Sequence, residues 1–165
     1  EGDVFGAELQ HAFAVAHEVE HWPKWVPLCS SAEVLTPLGL YERVTWLQFD
    51  LPMMRRGAIL HWSLTDNLLE RRSLLLLGAS VDEAYVERPE GAANITIAEF
   101  RAIKVLVRPL TRTSALIRCV ANVDLKANVP QSVLSIVTKK VAGAVLSQLV
   151  REAQKATKDA SEGGV

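Results

Sequence analysis

One uninterrupted amphipathic segment near the C-terminal end, Pro130 to Ala156, constrains everything that precedes it. Pro130 suits a first helical turn, where its missing N–H costs nothing. Apolar residues then recur at helical spacing. Leu134, Val137, Val141 and Val145 run down the centre of a stripe that Val133, Ala144 and Leu149 widen, and Ser132, Lys139, Gly143 and Ser147 fall opposite. Gly143, inside the pattern, costs about 1 kcal/mol against alanine. At 1.5 Å per residue, a helix of roughly 27 residues is about 40 Å long, more than one small core needs. It has to lie along something extended.

What precedes it is a run of strands. Ala32–Thr36, Leu40–Phe49, Ala58–Thr65, Arg72–Ala79, Ile95–Val107 and Thr113–Val123 carry strand patterns joined by short connections, which argues for an antiparallel meander. No helices alternate with them, so a parallel βαβ architecture is disfavoured. Ahead of the strands, Phe5–His21 repeats apolar residues at helical spacing and breaks at Pro23. Trp22 and Trp25 are placed to anchor that corner against the sheet and the long helix. The polar, glycine-rich residues 157–165 read as a frayed end, leaving one domain over 1–156.

Strand parity separates two faces. Ala58, Leu60, Trp62 and Leu64 oppose Ile59, His61, Ser63 and Thr65, which turns His61 outward. Ala115, Ile117, Cys119, Ala121 and Val123 form one apolar face. In Ile95–Val107, Phe100, Ala102 and Leu106 are assigned inward because the opposite parity carries Glu99 and Arg101. Several inward positions are small: Ala58, Ala102, Cys119, Ala121 and Ala144. Small residues on a sheet curved around a helix leave a void or simply pack closely, and parity does not choose between the two.

Composition excludes more than it identifies. The 165 residues suit one domain with a substantial core. A net charge of −1 gives no general attraction to nucleic acid. No apolar run is long enough to span a membrane, and no secretory signal is recognised. Cys29 and Cys119 read as small buried apolar residues of a reducing compartment rather than a disulfide or zinc framework. His11, His17 and His21 lie together, and His17 and His21 would share a helix face. Without a nearby cysteine or acid motif they read as surface histidines, so no metal and no cofactor are expected. Phosphate-loop, nucleophile-elbow and HExxH motifs are missing, and the Asn94-Ile95-Thr96 acceptor pattern reads as idle.

Three stretches carry a family likeness. VDLKANVPQSVLSIVTKK, Val123 to Lys140, resembles the C-terminal signature of START (StAR-related lipid-transfer) domains. There, a final strand ending in aspartate–proline–lysine or aspartate–leucine–lysine precedes a glycine, a proline and a long lid helix. Ala127 stands where that family usually has the glycine. WPKWVPLCSSAEVL, Trp22 to Leu35, resembles the tryptophan-rich helix pair leading into the sheet. LPMMRRGAIL, Leu51 to Leu60, sits where family members carry an arginine–aspartate pair. Arg56 fits the arginine and Gly57 replaces the aspartate. The matches run in family order over about residues 10 to 156. The family's N-terminal helix and first strands are not matched, and the chain begins with Glu1, so a fragment or the shorter helix-grip variety is expected.

The resemblance implies an α+β helix-grip fold, with a curved antiparallel sheet wrapped around the C-terminal helix. It implies a lipid-binding or lipid-transfer domain, not an enzyme, that holds one sterol, phospholipid or sphingolipid between sheet and helix. Alternation and the helix stripe then nominate Trp46, Leu60, Trp62, Phe100, Cys119, Ala121, Val137 and Val141 as the ligand-lining residues. Trp62 falls where some members place a cavity arginine, which favours a less polar ligand. The Leu51–Arg56 loop borders the cavity mouth in the family, so Leu51, Met53, Met54, Arg55 and Arg56 are nominated for transient membrane contact. The alternative folds the methionines inward and pairs Arg56 with an acid. Gly143 reads either as a soft point of the lid or as a close contact with the sheet. The expected setting is cytoplasmic with reversible membrane association, the expected partners being a lipid, a membrane surface and further domains of a longer protein. Two other functions stay open. A polyketide cyclase or aromatase would need convergent polar groups, for which His61, Arg56 and Gln48 are the candidates; a regulatory module would carry a vestigial pocket.

Overall fold

The computed structural model describes residues 2–5, 9–111, 113–127 and 131–162, with side chains except at 2–5, 131–140, 142 and 162. The elements follow in the order β1 (Gly2–Phe5), α1 (Leu9–His17), a 3-10 turn (Val19–Lys24), β2 (Cys29–Pro37), β3 (Glu42–Leu51), β4 (Met54–Asn67), α2 (Leu68–Arg71) and β5 (Ser73–Ser80). A second 3-10 turn (Glu83–Tyr85), β6 (Thr96–Ile97), β7 (Glu99–Thr111), β8 (Ser114–Asp124) and α3 (Gln131–Glu162) complete the chain. The sheet runs β1-β8-β7-β5-β4-β3-β2, every neighbour antiparallel, and short β6 pairs in parallel with β4 where β5 has already ended. The fold is therefore α+β and helix-grip, as expected. Two boundaries differ at the N-terminal end. Phe5 belongs to a strand that pairs with Ser114–Ile117, and the helix starts only at Leu9.

Both faces of the sheet bury apolar residues, for different reasons. On the concave face, α1 and α3 bring Leu9, Phe13, Leu146 and Val150 over Leu74, Val107, Ala115 and Ile117. Ala12 meets Ala153, which is fully buried; two alanines let the helices approach closely. Next to this cluster, Val19 and Trp22 of the 3-10 turn cover Leu47, Ala58, Leu60 and Trp62. On the convex face, the segment 81–97 folds back over Val44, Trp46 and Ile59. Arg88 organises that segment: its Nε donates to Glu83 at 2.8 Å and its Nη1 to the Ile95 carbonyl at 2.9 Å.

This corrects one ligand-lining assignment. Trp46 lies on the convex face beneath residues 81–97, with its indole over Gly57, and not beside Leu60 and Trp62. A β-bulge in β7 corrects the inward parity assigned to Ala102 and Leu106. Between Phe100 and Ala102 the register slips against β8, so Phe100 packs on the concave side. From there the parity inverts, and Ile103, Val105 and Val107 turn inward in place of Ala102 and Leu106.

The long helix differs from its expected stripe. Its contacts to α1 and the sheet run Leu146, Val150, Ala153, while Val141 and Val145 are half-buried. The side chains of Leu134 and Val137 lie outside the described residues. Gly143 is exposed and a Cβ there would meet nothing within 4 Å, so a close approach to the sheet is not its reason. The helix is 32 residues long and continues to Glu162, through most of the segment expected to fray.

Candidate functional site

A chain of tryptophans builds the covered part of the concave face. Trp62 lies over Gly78, where an added Cβ would sit 2.6 Å from its ring. Its Nε1–H donates to the buried Thr45 hydroxyl at 2.9 Å. Trp22 meets Trp62 edge to face at 5.9 Å and Trp25 at 6.1 Å, with its own Nε1–H on the Ala16 carbonyl. The tryptophan-rich stretch thus pins the α1 corner to the sheet. Arg43, on the same face as Trp62's neighbours, donates to the His17 carbonyl at 2.7 Å and so caps the C-terminal end of α1. Burial lowers the guanidinium's pKa, which nearby Glu20 partly offsets.

Farther along the same face the surface changes from filled to open. Phe49 and Phe100 lie 6.4 Å apart at one side. Across β8, Cys119, Ala121 and Val123 share the concave parity of Ile117 and are exposed. Leu60, Trp62, Phe100, Cys119 and Ala121 are thus brought to one face, with Val141 half-buried on α3. Cys29, by contrast, is buried, and burial pushes its thiol up to about 11.

Two recognised stretches meet at the open end. Arg56 Nε donates to the Leu125 carbonyl at 2.7 Å and Nη1 to the Arg55 carbonyl at 2.8 Å, so Arg56 ties the β3–β4 hairpin to the end of β8. There Asp124 Oδ1 accepts the Lys126 N–H at 2.8 Å, and Lys126 takes φ +51°. The left-handed residue of this turn is therefore Lys126 and not Ala127. Lys126 Nζ binds Glu99 and reaches Asp124 Oδ2 at 3.2 Å; Arg101 joins at 3.6 Å from Glu99. Hydrogen bonds from Lys126 hold both carboxyls below their usual range, and Glu99 in turn raises Lys126. Depressed carboxyls stabilise above their unfolded pKa and lose that contribution as pH falls through the folded value. The raised lysine contributes below its unfolded pKa and loses it only as pH climbs through its folded one. The strand end before α3 is thus held throughout the neutral range.

The β3–β4 turn is Pro52-Met53. Met53 sits at φ +67°, a position that favours glycine, and is fully exposed at 103%. Leu28, adjacent through the Asp50 N–H to Leu28 carbonyl bond of 2.8 Å, also has positive φ (+65°) and is exposed. Sequence reasoning missed Leu28, whose backbone conformation has no local signature. Leu51 and Met54 are half-buried, and Arg55 pairs with Asp50 at 2.9 Å.

Of the cyclase candidates, Gln48 and Arg56 line one cleft, which His61 does not join. His61 is on the convex side, 4.0 Å from Glu42; Gln48 donates to Ser30 at 3.0 Å, and Arg56 to the Leu125 carbonyl. The cleft shared by Gln48 and Arg56 is open, about 560 Å³, and is completed by Ser31, Trp46, Arg55 and residues 89–92 and 94–96; a second, of about 530 Å³, lies between Ser80 and Arg101. No group of His, Cys, Asp or Glu fit to hold a metal occurs among the described residues, and no described helix is long and apolar enough to cross a membrane.

The family profile for "polyketide cyclase / dehydrase and lipid transport" matches residues 5–151. No curated protein matches by sequence. Among solved structures, human STARD10 superposes with a TM-score of 0.77 at 16% identity, over 93% of this chain and 61% of that one. This chain therefore spans about three-fifths of that structure's length. A STAR-related lipid transfer protein from Xanthomonas axonopodis gives 0.70 at 12% identity, covering 92% and 83%. The Zhui aromatase/cyclase from Streptomyces sp. R1128 gives 0.60 at 14%, covering 93% and 90%. At these identities the likeness is one of fold.

Proposed function

The chain belongs to the polyketide cyclase/dehydrase and lipid-transport family, and on that premise we propose that it binds one apolar lipid against the concave face and carries it between membranes. The observation that carries this reading is the exposed apolar strip Cys119, Ala121 and Val123, continuous with Phe100 and set against a sheet that is otherwise packed. An apolar strip left in water on a concave surface gains about 25 cal/mol per Å² when a ligand covers it. The candidate imidazole, His61, lies on the convex side and away from the strip, which favours carriage over cyclisation. The ligand class is a sterol, phospholipid or sphingolipid, held against this strip with the half-buried Val141 of α3 as its cover.

Mass spectrometry of an organic extract of the purified protein is expected to find one lipid class. Ala121→Trp is expected to cut its occupancy at least tenfold in a folded protein, and lipid should slow maleimide labelling of Cys119. An extract without lipid, together with labelling that added lipids leave unchanged, sinks the reading; turnover of a polyketide substrate replaces it with the cyclase.

The hairpin Leu51–Arg56 is the proposed membrane contact. A non-glycine residue with positive φ costs about 1 kcal/mol, and Met53 holds that conformation with its side chain wholly in water. Arg55 is shared with Asp50 and Arg56 is turned to Leu125, so apolar insertion outweighs charge here. Met53→Asp is therefore expected to weaken vesicle binding more than Arg55→Glu, whose effect shrinks at high salt. Equal transfer rates for both variants and the parent would remove this hairpin from the contact.

A further inference from the structure

At the end of the sheet remote from Met53, two turns and the strand end beside a third present apolar side chains where such ends are ordinarily polar. The β2–β3 turn carries Leu38, Leu40 and Tyr41, exposed at 54%, 74% and 51%. The β4–β5 connection, α2, carries Leu68 and Leu69, the latter at 102%, and Leu110, at 58%, bulges from the end of β7 beside the β7–β8 turn. Since β3 and β4, then β5 and β7, are adjacent, neighbouring turns lie two strand spacings apart, about 10 Å. The turns are not loose. Leu38 and Gly39 N–H both donate to the Glu42 carbonyl, Leu64 N–H to Tyr41, and Leu68 N–H to Asp66. Their backbones are held while their side chains project. Arg71 and Arg72 follow directly, both exposed, with the exposed Asp66 and Glu70 on the same connection.

We propose that this row of turns docks on the surface of a phospholipid bilayer, as a contact separate from the Met53 hairpin and independent of whether the concave face holds lipid. Three apolar knobs with space between them do not form the continuous surface of a protein interface. Six side chains also fall well short of the roughly 20–30 residues a side that a stable one engages. A fluid headgroup layer closes around separate knobs instead. Tyr41 suits the interface by its amphipathic ring, and Arg71 and Arg72 meet lipid phosphates. Because β4 spans 14 residues, the two ends are about 45 Å apart, so each can engage a bilayer of its own.

The test uses the full chain and vesicles of phosphatidylcholine with phosphatidylserine, by co-sedimentation. Met53→Asp should retain measurable binding through the row. Adding Leu40→Asp and Leu69→Asp should lower it at least tenfold with an unchanged circular dichroism spectrum, and Arg71→Glu should lower it about fivefold at low salt. The proposal is overturned by a Met53→Asp protein that no longer binds vesicles, or by aspartates that leave binding unchanged. A parent protein whose concentration-dependent dimer disappears in the Leu40→Asp, Leu69→Asp variant also overturns it, by showing that a second copy covers the row. The co-purified lipid is unaffected in every arm, which separates this contact from the carrier reading.

Discussion

Gly57→Ala is expected to lower the melting temperature by roughly 6–12 °C. An added Cβ at Gly57 would stand 2.1 Å from Trp46 Cη2 and 2.8 and 2.9 Å from two further ring carbons, inside the indole itself. Neither partner has room to move. Trp46 is 1% exposed among Val44, Ile59 and Ala92. Gly57 lies in β4 between Gln48 of β3 and Ile97 of β6, with its carbonyl accepting the Ala98 N–H at 2.8 Å. Overpacking of this kind costs about 3 kcal/mol, and a domain of this length loses about 2–4 °C per kcal/mol. Trp46→Leu opens the space, so Gly57→Ala should cost much less in that background. A thermal double-mutant cycle followed by circular dichroism measures the coupling. A Gly57→Ala protein melting within about 2 °C of the parent would show that the indole does not rest on Gly57.

Trp62→Ala is expected to cost about 3–5 kcal/mol, the range for emptying a buried tryptophan site. The ring fills the space over Gly78, braces Trp22 and satisfies Thr45, which is itself fully buried. Thr45→Val separates the packing from the hydrogen bond. It keeps the shape but leaves the indole N–H without an acceptor, at about 1–3 kcal/mol. Trp62→Phe keeps most of the packing and strands the hydroxyl instead. Denaturant unfolding of the single and double variants should give costs for Thr45→Val and Trp62→Phe that do not add, because both remove one bond. Full additivity would mean that the two side chains do not interact.

Different parts of this architecture were legible to different degrees. The long helix, the antiparallel order of the strands and the outward direction of His61 follow from periods of 3.6 and 2 read along the chain. The START-like stretches were legible as motifs. That Arg56 would bind the carbonyl inside the Asp124–Lys126 stretch was not, since 69 residues separate the two partners. Met53 was legible as an apolar turn residue, while its left-handed backbone and the neighbouring Leu28 were not.

By itself the sequence determined that this chain is an α+β meander with a C-terminal helix, because hydrophobic period reports local burial. Only the tertiary structure decided which face each buried residue serves. In β3 both parities are apolar, Val44 and Trp46 against Leu47 and Phe49, and it is the return of residues 81–97 over the convex side that assigns Trp46 there. In β7 a bulge after Phe100 inverts the positions from Ala102 to Pro109. The row of hairpin ends bearing Leu40, Leu69 and Leu110 exists only because strand order places them at one end of the sheet. Period records that a side chain leaves water, while the segment that covers it is fixed by contacts between residues far apart in the chain.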